Sequence, residues 1–403
     1  MPAPAKARES ELPALTGLRG FAAFWVLVYH LWVDAVPRRM TIGFGDFTLD
    51  FTPAFSCGWA GVDIFFTLSA FLLTLPFASW QLGAASRPSL GTFWLRRVLR
   101  IVPAYYAQLA VLLVLAGFFG VGAWPTLRQF LGNLALWTNF GPFGAAPMNP
   151  VTYTLPIEFC FYLLLPILAL LLKPRQWALL ALLAIVVTQV YRRLMFAEVA
   201  HADVPLRVIA LEQMPGRLDQ FVLGMLAAYA YTRAAIRDRL PSVRCNDALF
   251  VAGAIGLALM TLWIHLAIGT YWDGATLLFI WHGLAGVAVA TMLFAGAAGS
   301  RIADALFANR ALRHLGIVSL GLYLWHFPLI QWLDAAHAFA WINGYRLPWT
   351  LPIVLILSLV AANLSYRLVE RPWMRIGRRR ARDPGVATEL VHAPPHEGAA
   401  ARA

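Results

Sequence analysis

Long apolar runs separated by short polar segments make up most of the chain between residues 12 and 373. A run of about 20 apolar residues is the length that an α-helix needs to cross the hydrocarbon core of a bilayer. The pattern predicts an all-α, polytopic bundle of integral membrane helices without a soluble catalytic domain. About ten spans are expected, at 12–32, 55–77, 101–121, 154–172, 177–196, 216–232, 248–268, 276–297, 315–334 and 348–368.

The remaining segments complete the predicted organisation. Residues 1–11 form a short polar leader, and residues 374–403 begin basic and end rich in Pro, Ala and Gly, which is typical of disorder. Between them, 12–373 is expected to be one membrane domain. Within it, Phe93–Arg100 has the pattern of an amphipathic surface helix. The apolar piece Phe130–Trp137 is too short to cross a bilayer and is predicted to be interfacial or re-entrant.

Composition agrees with a membrane protein and gives an orientation. Only 13% of the 403 residues are charged and 60% are hydrophobic, whereas a soluble protein carries about 25% charged residues. The net charge is +12, but the arginines cluster between apolar runs, as topology signals do, so nucleic-acid binding is not expected. If the ten spans cross the membrane in alternating directions, 22 of the 32 arginines and lysines lie on the side of the N-terminus and 8 on the other side. We therefore predict a plasma (inner) membrane protein with both termini in the cytoplasm. The three cysteines lack metal-ligand spacing, so we expect no metal site.

The first span contains two residues that a bilayer normally excludes, Arg19 and His30. Their separation of eleven residues puts both side chains on one helix face, with His30 about 16 Å further along the axis. Arg19 then lies near the cytoplasmic surface and His30 near the outer one. Ionisable side chains at such depth usually face the bundle interior and are functional. The alternative is a snorkelling arginine and a structural histidine with a hydrogen bond.

Polar residues also occur in four other spans. They can act together in a site, or they can be helix caps, an interfacial ion pair and hydrogen bonds between helices. The candidates are Asp63 and Ser69 in the second span, Glu158 in the fourth, Arg217 and Asp219 in the sixth, and Ser319, Tyr323 and His326 on one face of the ninth.

The cytoplasmic boundary of the third span carries Arg97 and Arg100. Guanidinium forks pair well with phosphate oxygens, although arginines at this position also anchor helices. Histidine is the natural general base near neutral pH. A phosphate-binding inner side and an outer histidine together indicate a vectorial reaction, in which a donor bound inside delivers a group to an acceptor outside.

Seven segments resemble, in order, the acyltransferase 3 family of integral membrane proteins. Six of them contain the residues above, and the seventh contains Tyr366, Glu370 and Pro372. The resemblance covers Leu12 to about Trp373. Family members include O-acetyltransferases of bacterial O-antigens, peptidoglycan and exopolysaccharides, and enzymes that acylate macrolide antibiotics. The segments are LTGLRGFAAFWVLVYH, GVDIFFTLSAFLL, RRVLRIVPAYY, TYTLPIEFCFYLLLP, RLDQFVLGMLAAY, GIVSLGLYLWHFPL and LSYRLVERPW.

The resemblance implies ten membrane helices and transfer of an acyl group, most often acetyl, from acyl-coenzyme A to a hydroxyl. It gives His30 the catalytic role, with Arg19 essential beside it, and assigns Arg97 and Arg100 to the coenzyme A donor. We therefore predict an O-acyltransferase that acts on a sugar hydroxyl of a cell-surface polysaccharide or a glycosylated metabolite. The expected partners are acyl-coenzyme A, which is a co-substrate and not a bound cofactor, the sugar acceptor and the lipid bilayer; the oligomeric state is left open.

In the predicted mechanism His30 accepts the hydroxyl proton, directly or through a relay. Arg19 positions the donor or stabilises developing negative charge. Either Glu158 or Asp63 orients His30, and the sequence does not choose between them. The other candidates are expected to support the site or bind the acceptor: Ser69, Arg217, Asp219, Ser319, Tyr323 and His326.

One loop runs against the predicted orientation, because its four arginines lie on the outer side: Arg192, Arg193, Arg207 and Arg217. We expect this loop to belong to the acceptor site, with Arg217 paired to Asp219 and the other arginines meeting anionic glycan groups.

Two positions depart from the family pattern. The usual Ser-Gly is Ser69-Ala70, which is expected to alter helix packing, and the usual Trp-Ser is Tyr153-Thr154, which is expected to change acceptor fit. Some members carry an additional extracytoplasmic esterase-like domain, and the chain is expected to resemble the stand-alone members.

Two other classes remain as alternatives. A transporter of a lipid-linked or anionic glycan would use the same buried charges, but it should show inverted repeats with interrupted helices, which the sequence lacks. A haem protein would use two facing histidines among His30, His282 and His326 as axial ligands.

Overall fold

The computed structural model describes residues 12–33, 39–138, 145–342 and 346–380, and there the chain is almost entirely helical. The predicted leader and the last part of the predicted tail, 381–403, lie outside these ranges. The helices are α1 (Pro13–Val33), α2 (Thr52–Ser56), α3 (Gly61–Gln81), α4 (Leu90–Phe119), α5 (Leu127–Leu134), α6 (Thr154–Leu168), α7 (Trp177–Val199), α8 (Val204–Leu211), α9 (Leu218–Ile236), α10 (Val243–Tyr271), α11 (Thr276–Ala297), α12 (Arg301–Phe307), α13 (Arg310–Ile317), α14 (Ser319–Ala335), α15 (Leu347–Ser365) and α16 (Arg371–Arg380).

Shorter elements connect these helices. A two-stranded antiparallel hairpin follows α1, with Thr41 opposite Asp50 and Phe44 opposite Phe47. Its strands are β1 (Thr41–Phe44) and β2 (Phe47–Asp50). Tight helical turns precede or follow several helices, at Gly58–Ala60, Pro150–Tyr153, Ala169–Leu171 and Met214–Arg217, and a π-helical turn at Tyr366–Glu370 joins α15 to α16.

Eight helical segments of the described ranges are long and apolar enough to cross a membrane, and the bent pair α13–α14 makes a ninth if it is one span. The chain is therefore an all-α polytopic membrane protein, although this count does not reach the predicted ten. The predicted sixth span corresponds to α9, which carries Asp219, Gln220 and Arg233 within 19 residues and falls outside the count. Because α9 packs between α3 and α11, protein surrounds Asp219 and Gln220, and both are buried.

Close helix packing fixes α1 against the α12–α13 segment. A Cβ atom at Gly17 would overlap the carbonyl oxygen of Phe307, and one at Gly20 would overlap that of Leu312. At these two positions only glycine lets the backbones approach this closely. The start of α1, which carries Arg19, is therefore held beside α13.

Three predicted boundaries are corrected. The second span begins at Gly58, with the tight turn that leads into α3, instead of at Phe55. The amphipathic segment Phe93–Arg100 is not a separate surface helix, because α4 continues from Leu90 through Pro103 to Phe119 and packs against α16. The predicted ninth span is two helices bent by 78° at Val318.

The predicted disordered tail also needs correction, because α16 extends through residues 374–380. This segment packs against the start of α4, where a Cβ atom at Gly377 would lie 3.2 Å from a methyl of Leu99. The contact gives the basic segment a folded partner.

The short apolar piece that begins at Phe130 folds back along α4. Tyr105 and Tyr106 donate hydrogen bonds to the carbonyls of Asn133 and Leu134 at the end of α5. Because Tyr105 precedes the end of α4 by fourteen residues, the chain has returned about 21 Å along that helix. This geometry resembles a re-entrant segment.

Candidate active site

A cavity of about 520 Å³ lies among α1, α3, α4, α6, α14 and the α15–α16 junction. It brings together seven of the residues singled out from the sequence. They are Arg19, Ser69, Arg97, Arg100, Glu158, Ser319 and Tyr323. The other five, His30, Asp63, Arg217, Asp219 and His326, lie outside its lining.

Cations dominate one end of the cavity. Arg19 reaches it from α1, while Arg96, Arg97 and Arg100 reach it from the first turns of α4. The Nε atom of Arg97 is buried and has no hydrogen-bond partner among the described residues. A buried donor without a partner is costly, so this end of the cavity is suited to an anionic ligand.

Glu158 forms the centre of a polar group in the cavity wall. Its Oε1 atom accepts a 2.7 Å hydrogen bond from Ser69 Oγ on α3 and another from the Tyr162 hydroxyl one turn along α6. Glu158 is thus held by these hydroxyls, and the expectation that it orients His30 is not supported.

Tyr323 lines the same cavity from α14. Its hydroxyl lies 2.9 Å from Thr154 Oγ1 and donates to the carbonyl of Val151. Its ring centroid is 6.2 Å from that of Phe65 and 5.9 Å from that of His326. The tyrosine therefore stands between the cavity and the histidines beyond it.

The two departures from the family pattern, at Ala70 and Thr154, both have close contacts in the structure. Ala70 is fully buried, and on the facing helix Gly224 comes so close that an added Cβ would lie 2.9 Å from the Ala70 methyl. Because Gly224 on α9 has no side chain, it leaves space for the methyl group of Ala70 on α3. Thr154 supplies the hydroxyl that contacts Tyr323.

His30 is paired with His326, and not with a carboxylate. The Nδ1 atom of His30 lies 2.9 Å from the Val26 carbonyl and 3.1 Å from Nε2 of His326. The Nδ1 atom of His326 in turn lies 3.1 Å from the Leu322 carbonyl. Both carbonyls belong to the preceding turns of α1 and α14, so each helix orients its own histidine.

Asp63 belongs to a separate buried network of charges. Its Oδ1 accepts from Arg217 at 2.5 Å and from Gln220 at 2.7 Å, and it lies 2.7 Å from Nδ1 of His282. Glu212 bonds Arg217 from the other side and lies 3.1 Å from Nε2 of His282. Asp63 therefore does not orient His30, and the expected Arg217–Asp219 pair is wrong.

Asp219 has different partners. Its Oδ1 accepts from the backbone N–H of Gln220, and its own N–H donates to Thr188 Oγ1. As the second residue of α9 it is buried beside Gly283. Within the described residues, Arg217 forms its ion pairs with Asp63 and Glu212 and not with Asp219.

The arginines expected to meet anionic glycans have partners within the chain. Arg192 is fully buried and donates to the carbonyl of Leu278 and, at 3.5 Å, to Glu212. Arg207 pairs with Asp273 at 3.0 Å, and Arg193 stacks over the Phe279 ring. These contacts show what the three arginines bind among the described residues, and the acceptor-site role of the loop stays a prediction.

The geometry of the histidines does not fit axial haem ligation. The nitrogens of His30 and His326 that face each other are in hydrogen-bond contact, which leaves no room for a macrocycle between them. Both ring nitrogens of His282 face carboxylate oxygens.

Fold and cavity together define a polytopic membrane protein with a cation-rich interior site near a pair of histidines, of which His326 is buried and His30 partly buried. An acyltransferase domain model matches residues 12–367, and the chain belongs to the acyltransferase 3 family. It therefore stands among enzymes that transfer acyl groups, as the resemblance implied.

Similar curated proteins include the O-acetyltransferase OatA of Staphylococcus aureus, 25% identical over 393 residues, and the peptidoglycan O-acetyltransferase OatA of Listeria monocytogenes, 26% identical over 391 residues. Each match covers 91% of this chain but only 58% and 56%, respectively, of those relatives. The chain thus spans little more than half their length. No solved structure matches the chain.

Sequence reasoning missed several polar residues of the site and the network. Tyr162 follows Glu158 by four residues, the spacing at which helical side chains meet. Glu370 was noted only as part of the family resemblance, and its place in the cavity lining was not predicted. Glu212 lies in a loop and was not a candidate, and Arg192 was expected to meet the acceptor and not Glu212. Their contact depends on how α7 and α8 fold together.

Proposed function

We propose that the chain is an O-acyltransferase that moves an acyl group, in the first place acetyl, from acyl-coenzyme A to a sugar hydroxyl. The observation that carries this proposal is a cavity lined both by Arg97 and Arg100 and by Tyr323, whose ring centroid lies 5.9 Å from that of His326. The names of the OatA relatives support acetyl as the group and a glycan as the acceptor.

The arginines suit the donor end of the reaction. Coenzyme A carries a diphosphate and a 3′-phosphate, and arginine forks bind phosphate oxygens with paired hydrogen bonds. With these groups at the cation-rich end, the thioester arm extends along the apolar wall of α3 toward Tyr323. The acyl carbon then lies near Tyr323, beyond which the histidine pair is found.

His30 acts on the hydroxyl group of the acceptor. His30 takes the proton of the attacking hydroxyl, the new O–C bond forms and the C–S bond breaks. The proton finally reaches the thiolate, which leaves as coenzyme A. Because the thioester is already activated, the residues required are a base and donors that stabilise negative charge on the carbonyl oxygen.

The test is mass spectrometry of surface polysaccharide and secreted glycosides from cells with and without the protein. An acetyl mass increment that disappears with the protein is the expected result. Unchanged glycans, together with accumulation of a lipid-linked glycan, would instead favour the transporter.

Alanine at Arg97 or at Arg100 is expected to weaken acyl-coenzyme A binding about ten- to a hundredfold, the value of one charged hydrogen bond. Lysine at either position should restore only part of the affinity because it lacks the planar fork. Titration of the purified variants with acetyl-coenzyme A and with its dephospho form separates contacts to the 3′-phosphate from contacts to the diphosphate.

The control for this prediction is Arg87→Ala, an exposed arginine near the same end of the bundle that does not line the cavity. It should leave donor affinity unchanged. Normal donor affinity in both cavity variants, with weakened acceptor use, would reverse the assignment.

Transfer across the membrane requires cytoplasmic termini, as the charge distribution predicts. Ser86 and His201 are exposed residues that the proposal puts on opposite sides, the first cytoplasmic and the second extracytoplasmic. Cysteines at these positions, with Cys57, Cys160 and Cys245 replaced, can be labelled in intact cells by a membrane-impermeant thiol reagent. Labelling at 201 and protection at 86 are expected; the opposite pattern would restrict acylation to the cell interior.

A further inference from the structure

The hydrogen bonds of the histidine pair determine which nitrogens carry protons. The carbonyls of Val26 and Leu322 can only accept, so Nδ1 of His30 and Nδ1 of His326 are the protonated atoms. Nε2 of a neutral His326 is then a bare acceptor, and it faces the N–H of His30 at 3.1 Å. The Nδ1 proton of His30 is shared between Val26 and His326, which leaves Nε2 of His30 with a free lone pair.

We propose that His326 is a positioning residue that keeps His30 in this state and stabilises the positive charge that forms on it during acyl transfer. The inference rests on the proposed function. When Nε2 of His30 takes the hydroxyl proton, its ring becomes cationic and the Nδ1–H becomes a stronger donor. His326 Nε2 is positioned to accept it, in the place where other enzymes use a carboxylate.

The surroundings favour this role for His326. Its side chain is almost fully buried, and its own Nδ1–H is held by the helix turn at Leu322, so the ring has one orientation. Both carboxylates considered for the role are bound to other residues, Glu158 to Ser69 and Asp63 to Arg217. A neutral acceptor also avoids the cost of burying a further charge beside the base.

The test compares three proteins in membrane vesicles: wild type, His326→Phe and His326→Gln. Phenylalanine keeps the ring and removes the acceptor, whereas glutamine has an amide oxygen near the position of Nε2. We expect His326→Phe to lower kcat about ten- to a hundredfold, as loss of a hydrogen bond to a charged group does, with KM for acetyl-coenzyme A unchanged. His326→Gln should recover a large part of kcat. If the phenylalanine variant fails to fold, His326→Leu takes its place.

Full kcat in the variant without an acceptor would overturn the proposal. Equal loss in the phenylalanine and glutamine variants would also overturn it, because it would indicate that His326 acts only by packing. Failure of the proposed function looks different: the wild-type protein itself would then transfer no acetyl group to glycan.

Discussion

Replacing His30 with alanine is expected to abolish acyl transfer while the protein still inserts into the membrane. A positioned general base contributes about 100- to 10,000-fold to rate. Within the described residues, the imidazole in contact with His30 is that of His326, which offers its Nε2 to His30 and not to a substrate. The measurement is release of coenzyme A from acetyl-coenzyme A in vesicles supplied with envelope glycans, normalised to the amount of folded protein.

His30→Asn gives the sharper version of this experiment. The asparagine amide can still donate to the Val26 carbonyl and to His326, so the local hydrogen bonds survive without the base. An exposed histidine between α7 and α8 serves as control, since His201→Ala should retain full activity. Near-normal turnover in well-folded His30→Asn would remove His30 from the chemistry.

The sequence was sufficient for the fold class because each span carries its own signal. Apolar runs such as 276–297 predict a helix whatever the rest of the chain does, and α11 has these bounds. The predicted helix boundaries were wrong where tertiary contacts extend or break a helix. One such place is Pro103, where α4 continues, and another is Val318, where the chain turns sharply between α13 and α14.

The site could be predicted only as a set of residues. Arg19, Arg97, Arg100 and Glu158 lie on one cavity, as a shared site requires. Partners could not be predicted, because they depend on how helices rotate against one another. Asp63 meets Arg217 across 154 positions of sequence, and nothing local to either residue indicates that contact.

The expected His30–carboxylate contact illustrates the same limit. Carboxylates are the common partners of catalytic histidines, and the sequence offered two at suitable depth. His326 was already a candidate, but its relation to His30 follows from α14 lying beside α1. The helix turns at Val26 and Leu322 then orient the two rings toward each other.

Arg217→Met is expected to lower stability by about 3–5 kcal/mol, the usual cost of removing one member of a buried ion pair. The change leaves Asp63 and Glu212 facing each other without the guanidinium that now bonds both. Thermal unfolding of purified protein in detergent, followed by size-exclusion chromatography, measures the loss. Arg237→Met, an exposed charge at the other end of α9, should change the unfolding temperature little.

A double variant distinguishes the loss of ion pairs from the loss of packing as the cause of lower stability. In Arg217→Met combined with Asp63→Leu, the unpaired carboxylate is gone, while Glu212 keeps Arg192 as a partner. Buried pairs replaced by apolar residues are often neutral in stability, so the double variant should recover much of the loss. Additive destabilisation would contradict this account, since residues in one ion pair couple and independent sites add. Recovery of acyl transfer together with stability would then assign the network a structural role, in holding α3, α9 and α11 together.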